Sequence, residues 1–290
     1  MDSLDQEASI LCTNFISSGN HLSFEVPRVQ GTFKGKFRSD GNTLTGTWTQ
    51  GPSTSLVFTR QTSAREPQKD LATAHTFQFG GETRTYYFFI PDGNDPLPVV
   101  VLLHGSERNG QVMVDVWKTL ASKEHFIVVA PDSHDGSSWS TETDSPDFLH
   151  AVVEQVAARH AIDADRIYLF GHSVGAIYAL VVALIDSDYY AATAIHAGAL
   201  PPGDENALFS RVVRRMPVAI WVGDKDPFFP IDSVSKTRRI FEENGFHVEL
   251  FVVPNHDHNY YVMSDDIDGQ AWDFFKKAGS KSLMIDGKAP

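Results

Sequence analysis

A serine set between two glycines is the first feature of this chain that could do chemistry: Gly171-His172-Ser173-Val174-Gly175. A serine hydroxyl is a weak nucleophile until a base removes its proton, and the base works best when a carboxylate fixes its tautomer. The flanking residues decide whether the pattern is chance. The run Arg166 to Phe170 reads as a strand immediately before it, and the apolar stretch Val174 to Ile185 reads as a helix immediately after it. In that setting the glycines permit a tight strand-to-helix turn, and the helix N-terminus favours negative charge developing beside the serine. The competing reading, a Gly-Ser turn without chemistry, does not account for that context.

A serine presented in this way takes its partners from later in the chain, in the order Ser, then Asp or Glu, then His. Of the 12 histidines, only His247, His256 and His258 follow a late acid. His247 opens a predicted strand and reads as a strand-edge residue. His256 and His258 lie just past that strand in Pro254-Asn255-His256-Asp257-His258-Asn259; His258 is the favoured base and His256 its alternative. The acid is expected after the strand Pro217 to Val222, in Gly223-Asp224-Lys225-Asp226-Pro227. Asp226, ahead of a proline that stiffens the turn, is favoured, and Asp224 reads as turn-stabilising. Two backbone amides, of Val174 and of Ser106 in His104-Gly105-Ser106, are expected to hold the developing oxyanion, each contributing about 3 kcal/mol. His104 itself reads as a structural residue bridging strand and loop. His256-Asp257-His258 is a weak ligand pattern and no H-E-x-x-H motif occurs, so no metal and no cofactor are expected.

These residues need a scaffold, and the chain shows two regimes. Four short strands are expected at His21–Val26, Gln30–Phe37, Thr43–Gln50 and Thr54–Arg60, with turns at Ser39-Asp40-Gly41-Asn42 and Gly51-Pro52-Ser53. Residues 61–74 are polar and aperiodic and read as a linker. From residue 75 to 290, strand-like runs alternate with amphipathic stretches, the signature of a mostly parallel sheet with helices on both faces. The strands fall at 76–80, 84–90, 98–103, 126–130, 166–170, 191–196, 217–222 and 248–253. The helices fall at 113–124, 145–160, 174–186, 232–244 and 268–277. Val100 to Leu103 run without alternation, as in a central strand buried on both faces. The fold class is therefore α/β, with a small antiparallel β segment before it.

Bulk properties exclude several function classes. A net charge of -13 over 290 residues argues against a nucleic-acid partner and against anionic membrane surfaces. No apolar run approaches the roughly 18 residues of a membrane span. With Cys12 alone, an internal disulfide is impossible. The start, Met1-Asp2-Ser3-Leu4-Asp5, has no signal-peptide pattern, which suggests either an intracellular protein or a chain lacking its natural N-terminus.

With these residues in place, the stretch from about 75 to 278 resembles the polyhydroxybutyrate-depolymerase-like and feruloyl-esterase-like hydrolases, close to carbohydrate esterase family 1. The matching features are His104-Gly105, Ala130-Pro131-Asp132, Ile162-Asp163-Ala164-Asp165-Arg166-Ile167, the Ser173 pentapeptide, Gly223-Asp224-Lys225-Asp226 and the His258 loop. The resemblance implies the α/β-hydrolase fold and hydrolysis of carboxylic esters, with Ser173, Asp226 and His258 as the triad. It also implies a secreted or periplasmic protein. Trp139, in Asp135-Gly136-Ser137-Ser138-Trp139-Ser140, matches a tryptophan that borders the acyl pocket in such enzymes; packing is its alternative role. His172 is assigned with Trp139 to substrate binding. Two departures concern the subfamily: Asn255 stands where the family has glycine, and Ser145-Pro146-Asp147-Phe148 where many relatives carry paired aspartates.

The first 60 residues resemble the later half of a β-rich domain found before such hydrolases, through Asp40-Gly41-Asn42-Thr43-Leu44-Thr45-Gly46-Thr47-Trp48-Thr49-Gln50-Gly51. So few strands with open edges are marginal alone. The segment is expected to pack on the catalytic domain or to pair with a second copy, giving a homo-oligomer. The leading function is a serine carboxylesterase acting on small-molecule or polysaccharide-linked short-acyl or hydroxycinnamoyl esters. A peptidase on the same fold and a non-catalytic binding module are the competing readings. Preference for amides over esters would mark the first, and absence of all turnover the second.

Overall fold

The computed structural model describes residues 2–3, 8–9, 12–26, 31–49, 53–60, 71–93, 95–203 and 205–281. The chain divides into two compact units, Met1–Leu71 and Ala72–Pro290. The first holds a two-residue pairing of β1 (Asp2–Ser3) with β2 (Ala8–Ser9), and a five-stranded antiparallel sheet. That sheet runs in chain order through β3 (Thr13–Ser18), β4 (His21–Val26), β5 (Gly31–Phe37), β6 (Thr43–Thr49) and β7 (Ser53–Thr59). Phe24, Val26, Phe33 and Leu44 form its small core, with Phe33 meeting Phe58 edge-on at 4.9 Å. The sequence suggests four of these strands and misses β3. That strand is an exposed edge whose pairing with β4 shifts register between Thr13 and Ile16, so it lacks the alternation of a half-buried strand. Most of the expected linker, and Gly51-Pro52 of the expected turn, lie outside the described residues.

The second unit is built on an eight-stranded sheet. Its strands are β8 (His75–Phe79), β9 (Glu82–Phe89), β10 (Leu97–Leu103), β11 (Ile127–Pro131), β12 (Ile162–His172), β13 (Ala192–His196), β14 (Val218–Gly223) and β15 (Val248–Val253). The spatial order is β15-β14-β13-β12-β10-β11-β9-β8; β9 is antiparallel to both of its neighbours, β8 and β11, and the other pairs are parallel. The helices are α1 (Gly110–Glu124), α2 (Pro146–Ala157), α3 (Val174–Ile185), α4 (Glu205–Phe209), α5 (Ile231–Glu243) and α6 (Ser264–Ala278). Alternate residues of β10 serve the two faces. Val99, Val101 and Leu103 join the core under α2, α3 and α5, while Val100 and Leu102 join the core under α1 and α6. This is the mostly parallel sheet flanked by helices that the alternation of runs predicts.

Two helices begin earlier than periodicity indicates. In α1 the Asn109 side chain accepts the Val112 amide at 3.1 Å, so the cap starts the helix before its apolar repeat begins. In α6 the first turn holds Asp265 and Asp266, polar residues that suit the positive end of the helix dipole but carry no apolar signal.

One buried ion pair organises the segment between β11 and α2. Arg84 of β9 meets Asp144 at 2.5 Å and lies over the Phe148 ring at 3.7 Å. Its guanidinium also donates to the carbonyls of Thr143 and Asp132. The Asp144 carboxylate in turn accepts the amides of His134 and Ser140 at 2.9 and 3.1 Å. Nearly every polar atom of the pair is thereby satisfied, which offsets the cost of burying both charges. Replacing Arg84 by Ala strands a buried carboxylate, and the expected loss is about 3–5 kcal/mol. Urea unfolding of Arg84→Ala tests this; a loss under about 1 kcal/mol would mean that water reaches Asp144 readily.

Candidate active site

The strand-to-helix turn between β12 and α3 is built by close approach. A Cβ on Gly171 would overlap the Gly175 carbonyl oxygen, and one on Gly175 would overlap the carbonyl oxygen of Leu103 in β10. Only residues without a side chain let the turn sit so tightly against the neighbouring strand. Ser173 pays for this geometry with φ 58° and ψ -120°, outside the ordinary basins of an L-residue. Its amide is anchored to the His196 carbonyl at 3.1 Å, and its side chain is half-exposed.

The structure brings Ser173, His258 and Asp226 together. His258 Nε2 lies 2.9 Å from Ser173 Oγ, and His258 Nδ1 lies 2.8 Å from Asp226 Oδ2. The other carboxylate oxygen, Oδ1, accepts the amides of Phe228 and Phe229 at 2.8 and 2.9 Å. With its side chain fully buried, Asp226 is held by three donors at once. This arrangement selects the Nδ1–H tautomer of His258, leaving Nε2 to accept from the serine hydroxyl. The alternatives lie elsewhere: Asp224 is exposed, and His256 is buried and directed to His196.

Val174 is the first residue of α3, where a helix amide has no intrahelical acceptor. Across from it runs the turn His104 to Arg108. Its later amides are committed, Glu107 to the Gly136 carbonyl at 3.0 Å and Arg108 to the Gly105 carbonyl at 3.2 Å, with Ser106 exposed between them and Gly105. A Cβ on Gly105 would stand 3.3 Å from the Ser173 Cβ, so this turn borders the nucleophile. His104 has the bridging position expected of it. Its Nδ1 lies 2.8 Å from the Gly105 carbonyl, its Nε2 accepts the Ser133 amide at 3.0 Å, and burial lowers its pKa to about 4.

Behind the base lies a line of three imidazoles that the sequence does not reveal. His172 and His196 are register partners at the ends of β12 and β13, and their Nδ1 atoms are 3.1 Å apart. His196 Nε2 reaches His256 Nε2 at 3.0 Å. Each contact needs one donor and one acceptor, so neutral rings satisfy both. Burial lowers all three pKa values, that of His172 to about 3 and that of His196 well below the ordinary range. The signal for this line was in part visible, since His172 and His196 each end an apolar strand; the pairing was not.

His172 therefore departs from the substrate-binding role expected of it. It is 5% exposed, and its ring lies among His196, His258 and Tyr260 at 5.1–5.2 Å. Tyr260 is fixed by Trp117 Nε1 at 2.7 Å and by Asp268, to which its hydroxyl donates. Burial pushes the Asp268 carboxyl well above the usual range. Trp139 is half-buried; its Nε1 donates to the His104 carbonyl at 3.0 Å and its ring stacks on Tyr178 at 5.7 Å. Phe228 and Phe229, which the sequence reading passes over, flank His258 at 4.9 and 5.7 Å. Among the described residues, no cluster of three or more His, Cys, Asp or Glu is arranged to hold a metal ion, and no helix is long and apolar enough to cross a membrane.

A model of the Dienelactone hydrolase family matches residues 85–278. NocK of Nocardia uniformis subsp. tsuyamanensis, designated an esterase, is 27% identical over 187 residues, 59% of this chain and 54% of that protein. The bifunctional acetylxylan esterase/xylanase XynS20E of Neocallimastix patriciarum is 31% identical over 103 residues, 34% of this chain and 15% of that one. The chain thus spans about half the length of the first relative and far less of the second. The solved structure of a CE1 ferulic acid esterase from Anaeromyces mucronatus matches with TM-score 0.55 at 17% identity, covering 75% of this chain and 94% of that one. That likeness is one of fold, and it is the fold that the residue patterns imply.

The buried imidazoles make stability depend on pH. His172 titrates near 3 when folded but near its ordinary value of 6.5 when unfolded. As pH falls, the unfolded chain takes up this proton first, so the stabilisation is complete above 6.5 and is lost between 6.5 and about 3. His172 alone should then cost about 2 kcal/mol between pH 7.5 and pH 5. Urea unfolding of wild type and His172→Gln at the two pH values measures it, and a pH dependence that the substitution leaves unchanged would show that the ring is not kept neutral.

Proposed function

Because this chain belongs to the Dienelactone hydrolase family, we propose that it is a serine esterase that cleaves carboxylic esters through an acyl-enzyme on Ser173. The observation that carries this reading is the unbroken hydrogen-bonded line from Asp226 through His258 to Ser173. His258 Nε2 takes the hydroxyl proton as Oγ attacks the carbonyl carbon, and Asp226 stabilises the imidazolium that results. The carbonyl oxygen, now negative, is held by the amides of Val174 and Ser106. As the carbon–oxygen bond to the alcohol breaks, His258 returns the proton to the departing oxygen. Water then enters, gives its proton to His258 and attacks the acyl carbon; Oγ leaves with that proton and the acid is released.

Short-acyl and hydroxycinnamoyl esters, free or attached to a polysaccharide, are the proposed substrates. Trp139 supports an acyl side on the oxyanion turn, since its indole is tied to His104 and part of its ring remains accessible. His172 enters this mechanism as a neutral support for His258 and not as a substrate contact.

Hydrolysis of p-nitrophenyl acetate at pH 7–8 tests the reading. Ser173→Ala should abolish Ser-dependent turnover, and Asp226→Asn should lower kcat about 10⁴-fold by presenting the wrong imidazole tautomer. Equal rates in wild type and Ser173→Ala would assign the activity to another group. Turnover of amides with none of esters would favour a peptidase instead.

A further inference from the structure

The triad predicts where the alcohol of an ester must go. His258 Nε2 can return its proton only if the departing oxygen comes within hydrogen-bond reach, about 3 Å. Whatever that oxygen carries is therefore held beside the His258 ring. Three aromatic neighbours define the ring's surroundings. His172, at 5.1 Å, is buried beneath it, and Phe229, at 5.7 Å and an interplanar angle of 19°, is half-buried alongside it. The third, Phe228, stands edge-on at 4.9 Å and is 70% exposed. A single exposed apolar residue is ordinary on a protein surface, so exposure alone carries no meaning. Its position does, because Phe228 is the exposed aromatic residue against the imidazole that serves the leaving group. Its backbone amide also donates to Asp226 Oδ1, so the turn that presents the ring is fixed by the acid of the triad itself.

We infer that Phe228 is a specificity-determining residue on the leaving-group side, a platform for esters whose alcohol carries a ring with a flat apolar face, such as an aryl alcohol or a sugar. This rests on the esterase reading of the same site and adds to it the class of alcohol. The acyl group lies on the other side of the scissile bond, against the oxyanion turn and Trp139, so the two aromatic residues select different halves of the substrate. The ring of the alcohol stacks on Phe228, and a methyl or ethyl group is too small to reach it with comparable contact.

The test compares benzyl acetate with ethyl acetate, which share an acyl group, using wild type, Phe228→Ala and Phe228→Tyr in a pH-stat. In Phe228→Ala the benzyl-to-ethyl ratio of kcat/KM should fall about tenfold, mainly through KM, the size of one aromatic contact. Phe228→Tyr should restore most of the ratio. An acetylated xylose run alongside separates the two ring types: a parallel loss extends the platform to sugars, and no loss restricts it to aryl alcohols and overturns the sugar part. A ratio unchanged in Phe228→Ala, or equal losses on both acetates, overturns the inference while leaving the esterase reading intact. No turnover of any ester by the wild type defeats the esterase reading and this inference with it.

Discussion

The architecture of the site rests on one close approach: the backbone of the Ser173 turn against the end of β10. Gly175 has no room for a side chain beside the Leu103 carbonyl, and Gly171 has none beside Gly175. That contact forces Ser173 into a conformation with positive φ, and the cost of about 1–3 kcal/mol for such a residue is borne by the packed sheet around it. The same contact sets the start of α3 against the turn after β10, so that the amide of Val174 and the turn of Ser106 border one space. Ser173 and the backbone amides proposed to face its substrate are thus positioned by a single packing event.

His258 and Asp226 are secured by a different device, hydrogen bonds that link the ends of neighbouring parallel strands. Asp226 is held by two amides of its own turn, and the Lys225 amide reaches across to the His256 carbonyl at 2.9 Å. His256 joins His196, which joins His172, the residue before the nucleophile. The loops after β12, β13 and β15 are therefore connected through imidazoles as well as through the sheet. A neutral chain of this kind can donate and accept at each step, which apolar residues of equal size could not do.

Tyr260 adds a second anchor from the opposite core. Its ring faces His172 while its hydroxyl is engaged by Trp117 of α1 and Asp268 of α6. The turn that follows His258 is in this way tied to both helices of one face of the sheet. Precise placement of a catalytic base depends on such support, because displacement of about 1 Å can cost 10²-fold in rate.

Much of this protein could be read from its residues alone. The alternation of apolar runs and amphipathic stretches, the pentapeptide around Ser173 and the order of acid and base are local patterns, and local patterns survive without coordinates. The mostly parallel sheet follows from them for the same reason. Cap-driven helix starts such as Asn109 and the weakly patterned edge strand Thr13–Ser18 were hidden, since neither has an apolar period. Only the tertiary structure set His258, and not His256, against Ser173, and Asp226, and not Asp224, against His258. Within each pair the residues are two positions apart in sequence, and the direction each side chain takes depends on a turn fixed by distant contacts. It alone turned His172 inward, because its register partner His196 comes from another strand. It alone placed Phe228 against the base. Sequence thus determined which residue types could carry chemistry; packing decided which of their atoms meet and what they face.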